Sequence, residues 1–128
     1  MPIVVEKLNY AYMQGSAITK AALTDISLRI EDGEFLGLIG HTGSGKSTFV
    51  QQLNGLLQPN SDTVHVDGFD MADKKQPMEG RKLVGMVFQY PEYQLFEESV
   101  EKDVAFGVKN MGIGEEEALE RAHEAMAL

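Results

Sequence analysis

The stretch FLGLIGHTGSGKST, residues 35–48, joins a short continuous apolar run to a loop that contains three glycines. An apolar run of this length, bounded by glycine, is typical of a strand buried on both faces of a parallel sheet. Residues 46–57 have apolar side chains at helical spacing, and Pro59 predicts the end of that helix. The order strand, glycine-rich loop, helix predicts an α/β fold. A simple turn would need fewer glycines than this loop contains, so the loop is expected to do more than reverse the chain.

The loop has the spacing G-x-x-x-x-G-K-[ST], with Gly40, Gly45, Lys46 and Ser47 in register. Glycines let successive backbone N–H groups point at phosphate oxygens, and the following helix adds the positive end of its dipole. Lys46 is expected to reach the β- and γ-phosphates, and the Ser47 hydroxyl is expected to bind Mg²⁺. The loop therefore predicts a polyphosphate site, which kinases, GTPases, motor ATPases and transporter ATPases all use.

Hydrophobic periodicity predicts further elements on both sides of this unit. Strands are expected at 3–8, 22–30, 64–66 and 83–88, and a loop is expected over 10–21. The strand at 83–88 would be the second one that is buried on both faces. Helices are expected from Ser99, as the capping residue, to Phe106 with Gly107 closing it, and from about Gly114 to Leu128, with an i, i+4 pair between Glu117 and Arg121. Because two strand-like segments precede the glycine-rich loop, the order differs from that of small nucleotide kinases.

Two kinds of side chain outside the loop are candidates for the same site. Either Tyr10 or Tyr12 can stack on a purine, or both are ordinary strand and core tyrosines. Gln89 directly follows the apolar run 83–88, where its amide can contact Mg²⁺ or the attacking water. The alternative is that Gln89 is only a polar residue at the end of a strand.

Composition limits the class of protein. The 128 residues carry a formal net charge of −9 at pH 7, so nucleic acid is not an expected partner. The absence of cysteine excludes disulfides and thiolate metal sites and fits a reducing cytosol. No apolar run reaches the ~18 residues that cross a bilayer, and the N-terminus lacks the features of a signal peptide. No direct membrane span is expected, and work at a membrane would need a partner.

Three stretches together resemble the ATP-binding subunits of ABC transporters, namely ALTDISLRIEDGEFLGLIGHTGSGKST, VHVDGFD and GMVFQYPEYQLFEESVEKDVAFG. Within that family the chain resembles the energy-coupling factor type, the cobalt and vitamin importers, and there the second of two paralogous ATPases. The resemblance implies an α/β P-loop NTPase core with an antiparallel β subdomain and the start of a helical subdomain. Residues 1–89 would belong to the core and residues 90–128 to the helical part of an incomplete nucleotide-binding domain.

The resemblance also implies a role for each matching residue. Tyr12 would stack on adenine, Lys46 and Gln89 would be the catalytic residues, and Ser47 and Gln89 would bind Mg²⁺. Gln89 would relay the state of the nucleotide to the membrane partner, and Tyr90–Gly107 would form part of the groove for a coupling helix. The residues expected to wrap the ATP phosphates are Gly40, His41, Thr42, Gly43, Ser44, Gly45, Lys46, Ser47 and Thr48.

The implied cofactors are ATP and Mg²⁺. The implied partners are a second ATPase subunit, either paralogue or copy, a transmembrane coupling protein and a substrate-binding membrane protein, at the cytoplasmic face of the cell membrane. The family's LSGGQ-type signature, Walker B aspartate, catalytic glutamate and switch histidine do not occur in these 128 residues. Because hydrolysis needs a second Mg²⁺ carboxylate and a group that orients water, the chain alone is expected to bind ATP weakly and hydrolyse it negligibly.

Smaller departures from the family pattern concern single residues. Asp62 stands where the family commonly has a turn glycine, and aspartate tolerates the left-handed backbone conformation of such a turn. Val108 stands where the family commonly has proline, so the resemblance does not determine the geometry of this helix end. His41 lies in the loop, with a phosphate-adjacent or a space-filling role, whereas His65 and His123 are expected at the surface.

Two other classes of protein stay open. A soluble P-loop kinase or another NTPase would need a phosphate-acceptor pocket, for which the sequence offers no candidate. A non-enzymatic fragment that docks to a membrane protein through Tyr90–Gly107 would capture that partner with or without ATP. In the incomplete nucleotide-binding domain that the resemblance implies, the missing strands would flank the strand before the loop. Their absence would expose an apolar edge, so self-association is expected unless another chain completes the sheet.

Overall fold

The computed structural model describes residues 1–13, 19–73 and 77–128, and the chain divides into two compact units, Met1–Met86 and Val87–Leu128. The elements of the first unit are β1 Ile3–Met13, β2 Thr19–Ile30, α1 Lys46–Leu53, β3 Val64–Val66, β4 Phe69–Asp70 and α2 Pro77–Lys82. Those of the second unit are a 3₁₀ turn at Pro91–Gln94, α3 Val100–Asn110 and α4 Glu115–Met126. The short α2 and the 3₁₀ turn are elements that the sequence patterns missed.

The four strands form one antiparallel sheet in the order β2-β1-β3-β4. The predicted strands at 3–8, 22–30 and 64–66 are confirmed, but β1 and β2 continue to the pair of Met13 with Thr19. The predicted loop over 10–21 is therefore wrong for the described residues at its two ends, and residues 14–18 lie outside the described residues. Strand propensity of the tyrosines and cross-strand pairing extend the hairpin.

The core of the first unit lies between this sheet and α1. Alternate strand residues are fully buried, as a half-buried strand requires, and α1 contributes Phe49 and Leu53. On β2, Ile26 and Leu28 face this core while Ser27 and Arg29, each of which follows one of them, are exposed, which confirms the predicted alternation.

Two predicted strands, 35–39 and 83–88, are wrong in this structure, because neither segment has a strand conformation. Phe35 is 100% exposed, Ile39 97% and Val87 85%. A parallel strand is held by hydrogen bonds to neighbouring strands, and within the described part of the chain no strand pairs with either segment. The apolar runs are present, but the partners that would make them buried strands are not among the described residues.

Two helix ends also differ from the prediction. Helix α1 ends at Leu53 rather than near Leu57, because Gly55 takes a left-handed conformation with φ of 68° directly after the Asn54 cap. Helix α3 continues through Gly107 to Asn110, and Gly112, with φ of 86°, follows its end. A single glycine is tolerated within a helix at a cost of about 1 kcal/mol, so its position alone does not stop one.

The second unit is a pair of helices that pack through small side chains. Ala105 of α3 and Ala118 and Ala122 of α4 are fully buried, and Val108 packs against them. Val108 thus lies within α3, where proline would interrupt a continuing helix. The predicted cap at Ser99 is confirmed by a hydrogen bond that its side chain accepts from the Lys102 N–H at 3.4 Å.

Helix α4 begins directly after Gly114, as the sequence predicts. Arg121 donates to Glu117 at 2.6 Å, which confirms the predicted i, i+4 pair. None of the helices in the described part of the chain has the length and hydrophobicity needed to span a membrane.

Candidate functional site

The glycine-rich loop needs glycine at Gly45 for steric reasons and is also tightly packed at Gly40. Gly45 has φ of 95°, and a Cβ there would lie 2.7 Å from the carbonyl oxygen of Ala22 on β2. A Cβ on Gly40 would lie 2.6 Å from the Ser44 hydroxyl. The loop therefore curls against β2 in a conformation that larger residues cannot adopt without displacing their neighbours.

Lys46, the first residue of α1, turns back into the loop. Its ammonium donates hydrogen bonds to the carbonyl oxygens of Gly40 at 2.6 Å and His41 at 2.8 Å. It also lies 3.3 Å from the Ser44 hydroxyl oxygen. These acceptors hold one positive charge inside the curve of the loop, where the oxygens of an anion would replace them.

The start of α1 adds unpaired N–H groups to this charge. Gly45 is the N-cap and offers no side-chain acceptor, while its carbonyl accepts from the Phe49 N–H at 2.8 Å. The N–H groups of the first helical turn have no intrahelical partners, so those of Lys46, Ser47 and Thr48 point out of the helix start. Together with the helix dipole they favour an anion at this position.

Tyr12, near the end of β1, reaches the same helix. Its hydroxyl lies 3.0 Å from the Thr48 hydroxyl oxygen, and its ring meets the Tyr10 ring edge-on with centroids 5.1 Å apart. Thr48 is 8% exposed and Tyr12 is 39% exposed. The structure thus brings the predicted base-stacking tyrosine to the predicted phosphate loop, a contact that sequence reasoning did not foresee.

The other predicted site residues lie at the surface. His41 and Thr42 are exposed, and a ring nitrogen of His41, Nδ1, is 2.9 Å from the Thr42 carbonyl oxygen. The Ser47 side chain is exposed. Gln89 belongs to the second unit, where its amide donates to the Tyr90 hydroxyl at 3.3 Å. The roles of Ser47 and Gln89 at Mg²⁺ stay predictions.

The remaining histidines differ from each other. His123 is exposed and 2.7 Å from Glu101, as expected for a surface residue. His65 is only half-buried rather than fully exposed, because it lies on β3 with Asp62 3.4 Å away. Asp62 itself has φ of 62°, the left-handed conformation expected for a residue in a glycine position.

An apolar cavity of about 180 Å³ adjoins the loop within the first unit. Its polar edge is formed by the loop, and its apolar wall by side chains of β2, α1 and the segment before the loop, namely Leu23, Ile26, Leu28, Phe49, Leu38 and Ile39. No sequence signal predicts it, because it depends on how residues 38–39 run beside β2.

Residues 23–128 match the family model described as ABC transporter, and the chain therefore belongs to the ABC transporter family. It is 55% identical to the energy-coupling factor transporter ATP-binding protein EcfA2 of Caldanaerobacter subterraneus subsp. tengcongensis, over 100% of this chain and 45% of that protein. It is 56% identical to EcfA2 of Clostridium perfringens (strain 13 / Type A), again over 100% and 45%. The chain spans about half the length of the curated relatives it matches.

Solved structures support the same fold. The chain resembles cbiO1 of Clostridium perfringens, part of the ABC transporter complex cbiONQ, with a TM-score of 0.78 and 38% identity over 98% of this chain and 49% of that one. It also resembles an ATP-binding cassette in a dimeric post-hydrolysis state bound to ADP and Pi, with a TM-score of 0.76 and 25% identity over 95% and 54%. The predicted family, the resemblance to the energy-coupling factor type and the predicted fold class are confirmed.

Proposed function

We propose that this chain is part of the ATP-binding subunit of an energy-coupling factor ABC transporter, which couples ATP binding and hydrolysis to uptake of a vitamin or a metal ion. The observation that carries the proposal is the Lys46 ammonium, held within the curve of a glycine-rich loop at the start of α1. The names of the relatives support the transporter type.

The geometry suits the triphosphate of ATP. Lys46 is held by two carbonyl oxygens, which are dipoles and not full charges. Phosphate oxygens make stronger, charge-assisted hydrogen bonds to an ammonium, so Lys46 would transfer to the β- and γ-phosphates. The N–H groups at the start of α1 would bind the remaining oxygens.

Mg²⁺ would accompany the nucleotide. The exposed Ser47 hydroxyl follows Lys46 directly, so one residue binds phosphate while the next binds the ion. Gln89 would complete the ion's protein ligands and would respond to hydrolysis. When bound beside Ser47 and Gln89, the ion would supply positive charge that stabilises the negative charge of the phosphates.

We further propose that hydrolysis takes place between two such subunits. One related cassette is a dimer with ADP and Pi, and these 128 residues contain no LSGGQ-type stretch or Walker B aspartate of their own. A second ATPase subunit would supply the signature motif across the interface. The chain on its own would bind ATP weakly and hydrolyse it negligibly.

The second unit would dock on a transmembrane coupling protein, which in turn would hold a substrate-binding membrane protein. Its segment Tyr90–Gly107 exposes large apolar side chains, with Tyr93 82% exposed, Leu95 65% and Val100 67%. Such a patch is typical of an interaction surface. The protein would therefore work at the cytoplasmic face of the membrane, with nucleotide-driven closure of the two ATPase subunits pushing on that partner.

Substitution of Lys46 by alanine tests the nucleotide site. Calorimetric titration of the 128-residue chain with Mg-ATP should show that Lys46→Ala weakens binding by at least about tenfold, since charge-assisted hydrogen bonds are lost. Lys82→Ala is the matched control, because Lys82 lies on α2 and pairs with Glu79 at 3.2 Å. Equal Mg-ATP affinity of wild type and Lys46→Ala would contradict the proposal.

A further inference from the structure

We propose that Thr48 is a positioning residue for nucleobase recognition, because its hydroxyl holds the Tyr12 ring beside the phosphate loop. The site would then favour a polyphosphate that carries an aromatic base over the same polyphosphate without one. This inference rests on the proposed function, and it assigns to Thr48 a task other than wrapping phosphate.

The hydrogen bond that carries the inference joins residues far apart in sequence. The two hydroxyl oxygens are 3.0 Å apart, within the range of an O–H···O hydrogen bond, although 36 residues separate Tyr12 from Thr48. Thr48 is nearly buried at 8% exposure, so the hydrogen bond is partly shielded from competing water. A shielded hydrogen bond orients a side chain better than one that water can replace.

A second contact fixes the same ring from another side. Tyr10 packs against the core of the first unit, and its ring meets that of Tyr12 at an interplanar angle of 89°. The register of β1 against β2 is irregular between Leu8 and Ala11, directly before Tyr12. Irregularities of this kind re-aim the side chains that follow.

The result is a ring held in place with one part still open. Tyr12 remains 39% exposed, so it has free surface on which a base can stack. Fixing the ring in advance lowers the entropy lost when a ligand binds. Thr48 lies in the first turn of α1, two residues after Lys46, so the same helix would set the position of the base platform and of the phosphate-binding ammonium.

Thr48 has one obvious alternative role, which is a direct hydrogen bond from its hydroxyl to a phosphate oxygen. In that case the loss of the hydroxyl would weaken binding of every polyphosphate equally. In the positioning role, its loss would weaken only the contribution of the base. The ratio of the two affinities separates these roles.

The experiment measures Mg-ATP and Mg-tripolyphosphate binding to the full 128-residue chain by calorimetry. Thr48→Val and Tyr12→Phe should each lower the ratio of ATP to tripolyphosphate affinity about fivefold, as expected for one hydrogen bond. The double variant should lower it no further, because both single changes remove the same bond. Thr48→Ser keeps a hydroxyl and should restore most of the ratio, and Thr24→Val, at an exposed position on β2, is the matched control.

The possible outcomes separate a failure of the proposed function from a failure of the positioning role of Thr48. A wild-type chain that is folded by its melting curve and binds neither ligand would overturn the proposed function. A wild-type chain that binds both ligands, with Thr48→Val weakening both equally, would overturn the positioning role alone. Additive effects of Thr48→Val and Tyr12→Phe, or no change in the ratio, would overturn it as well.

Discussion

Gly43 and Gly45 have nearly the same left-handed backbone conformation, with φ of 84° and 95°, but very different surroundings. A Cβ on Gly43 would meet nothing within 4 Å, whereas one on Gly45 would lie 2.7 Å from the Ala22 carbonyl oxygen. Gly43→Ala should therefore lower the free energy of unfolding by about 1–2 kcal/mol, the cost of the left-handed conformation alone. Gly45→Ala should cost clearly more, as measured by urea denaturation, and equal losses in the two variants would contradict the steric account.

The phosphate-binding role of the loop stays a prediction, and the sequence can make it because the chemistry depends on spacing within one short segment. Gly40, Gly45, Lys46 and Ser47 occupy fixed positions relative to each other along the backbone. The contact between Tyr12 and Thr48 could not be predicted in the same way. It depends on how far the hairpin of β1 and β2 extends and on where β1 is irregular, and both are set by cross-strand pairing rather than by local sequence.

At the scale of the elements, an ion pair between Lys109 and Glu115 links the two helices of the second unit. Lys109 of α3 donates to Glu115 of α4 at 2.8 Å, and this hydrogen bond, together with the charge attraction, holds the pKa of the Glu115 carboxyl below its usual value of 4.5. A lowered folded pKa means that the folded chain binds fewer protons than the unfolded chain. The stabilisation is therefore complete above about pH 4.5 and is lost as pH falls through the folded pKa.

The pair predicts how a single substitution changes with pH. Glu115→Gln should lower the melting temperature at pH 7 by a small amount, because the pair is exposed to solvent. The difference from wild type should shrink as the pH is lowered below 4.5. Glu116→Gln, the neighbouring exposed residue of α4, controls for the change in net charge. A difference that stays constant from pH 7 to pH 3 would show that the pair contributes nothing.

The helices and the antiparallel strands were predictable where a local signal determines them. Ser99 and Gly114 mark helix starts through their caps, and residues 22–30 alternate as a half-buried strand does. The conformation of residues 35–39 and 83–88 was not predictable from the local sequence, because a strand in a parallel sheet exists only when its neighbours pair with it. Their apolar composition indicates that they can be buried, but they become buried strands only when a neighbouring strand pairs with them.

For the whole molecule, the exposed apolar run before the phosphate loop predicts self-association. Phe35 and Ile39 are almost completely exposed, at 100% and 97%, and apolar segments with unpaired backbone groups join to one another. The double variant Phe35→Ser, Ile39→Thr should raise the concentration at which half of the chain associates by at least about tenfold, from the apolar area removed. Met111→Ser is the control, since Met111 is an exposed apolar residue of the second unit at 46%. Light scattering that shows a stable wild-type monomer would contradict this expectation.

The fold class followed from the sequence mainly through resemblance to a family. The motifs of residues 35–48 and 85–107 identify an ABC transporter cassette, and the comparisons confirm this. The sheet order and the cavity beside the loop depend on contacts between segments distant in sequence, for which a single sequence carries no signal.

The central claim is that the backbone N–H groups of residues 43–48 bind the triphosphate of ATP. Titration of the isotopically labelled chain with Mg-ATP, followed by amide NMR, tests this claim most directly. We expect the amide signals of residues 43–48 to shift more than those of any other described segment of the first unit, and Lys46→Ala to remove these shifts. A folded chain whose signals from residues 43–48 stay unchanged at saturating Mg-ATP would contradict it.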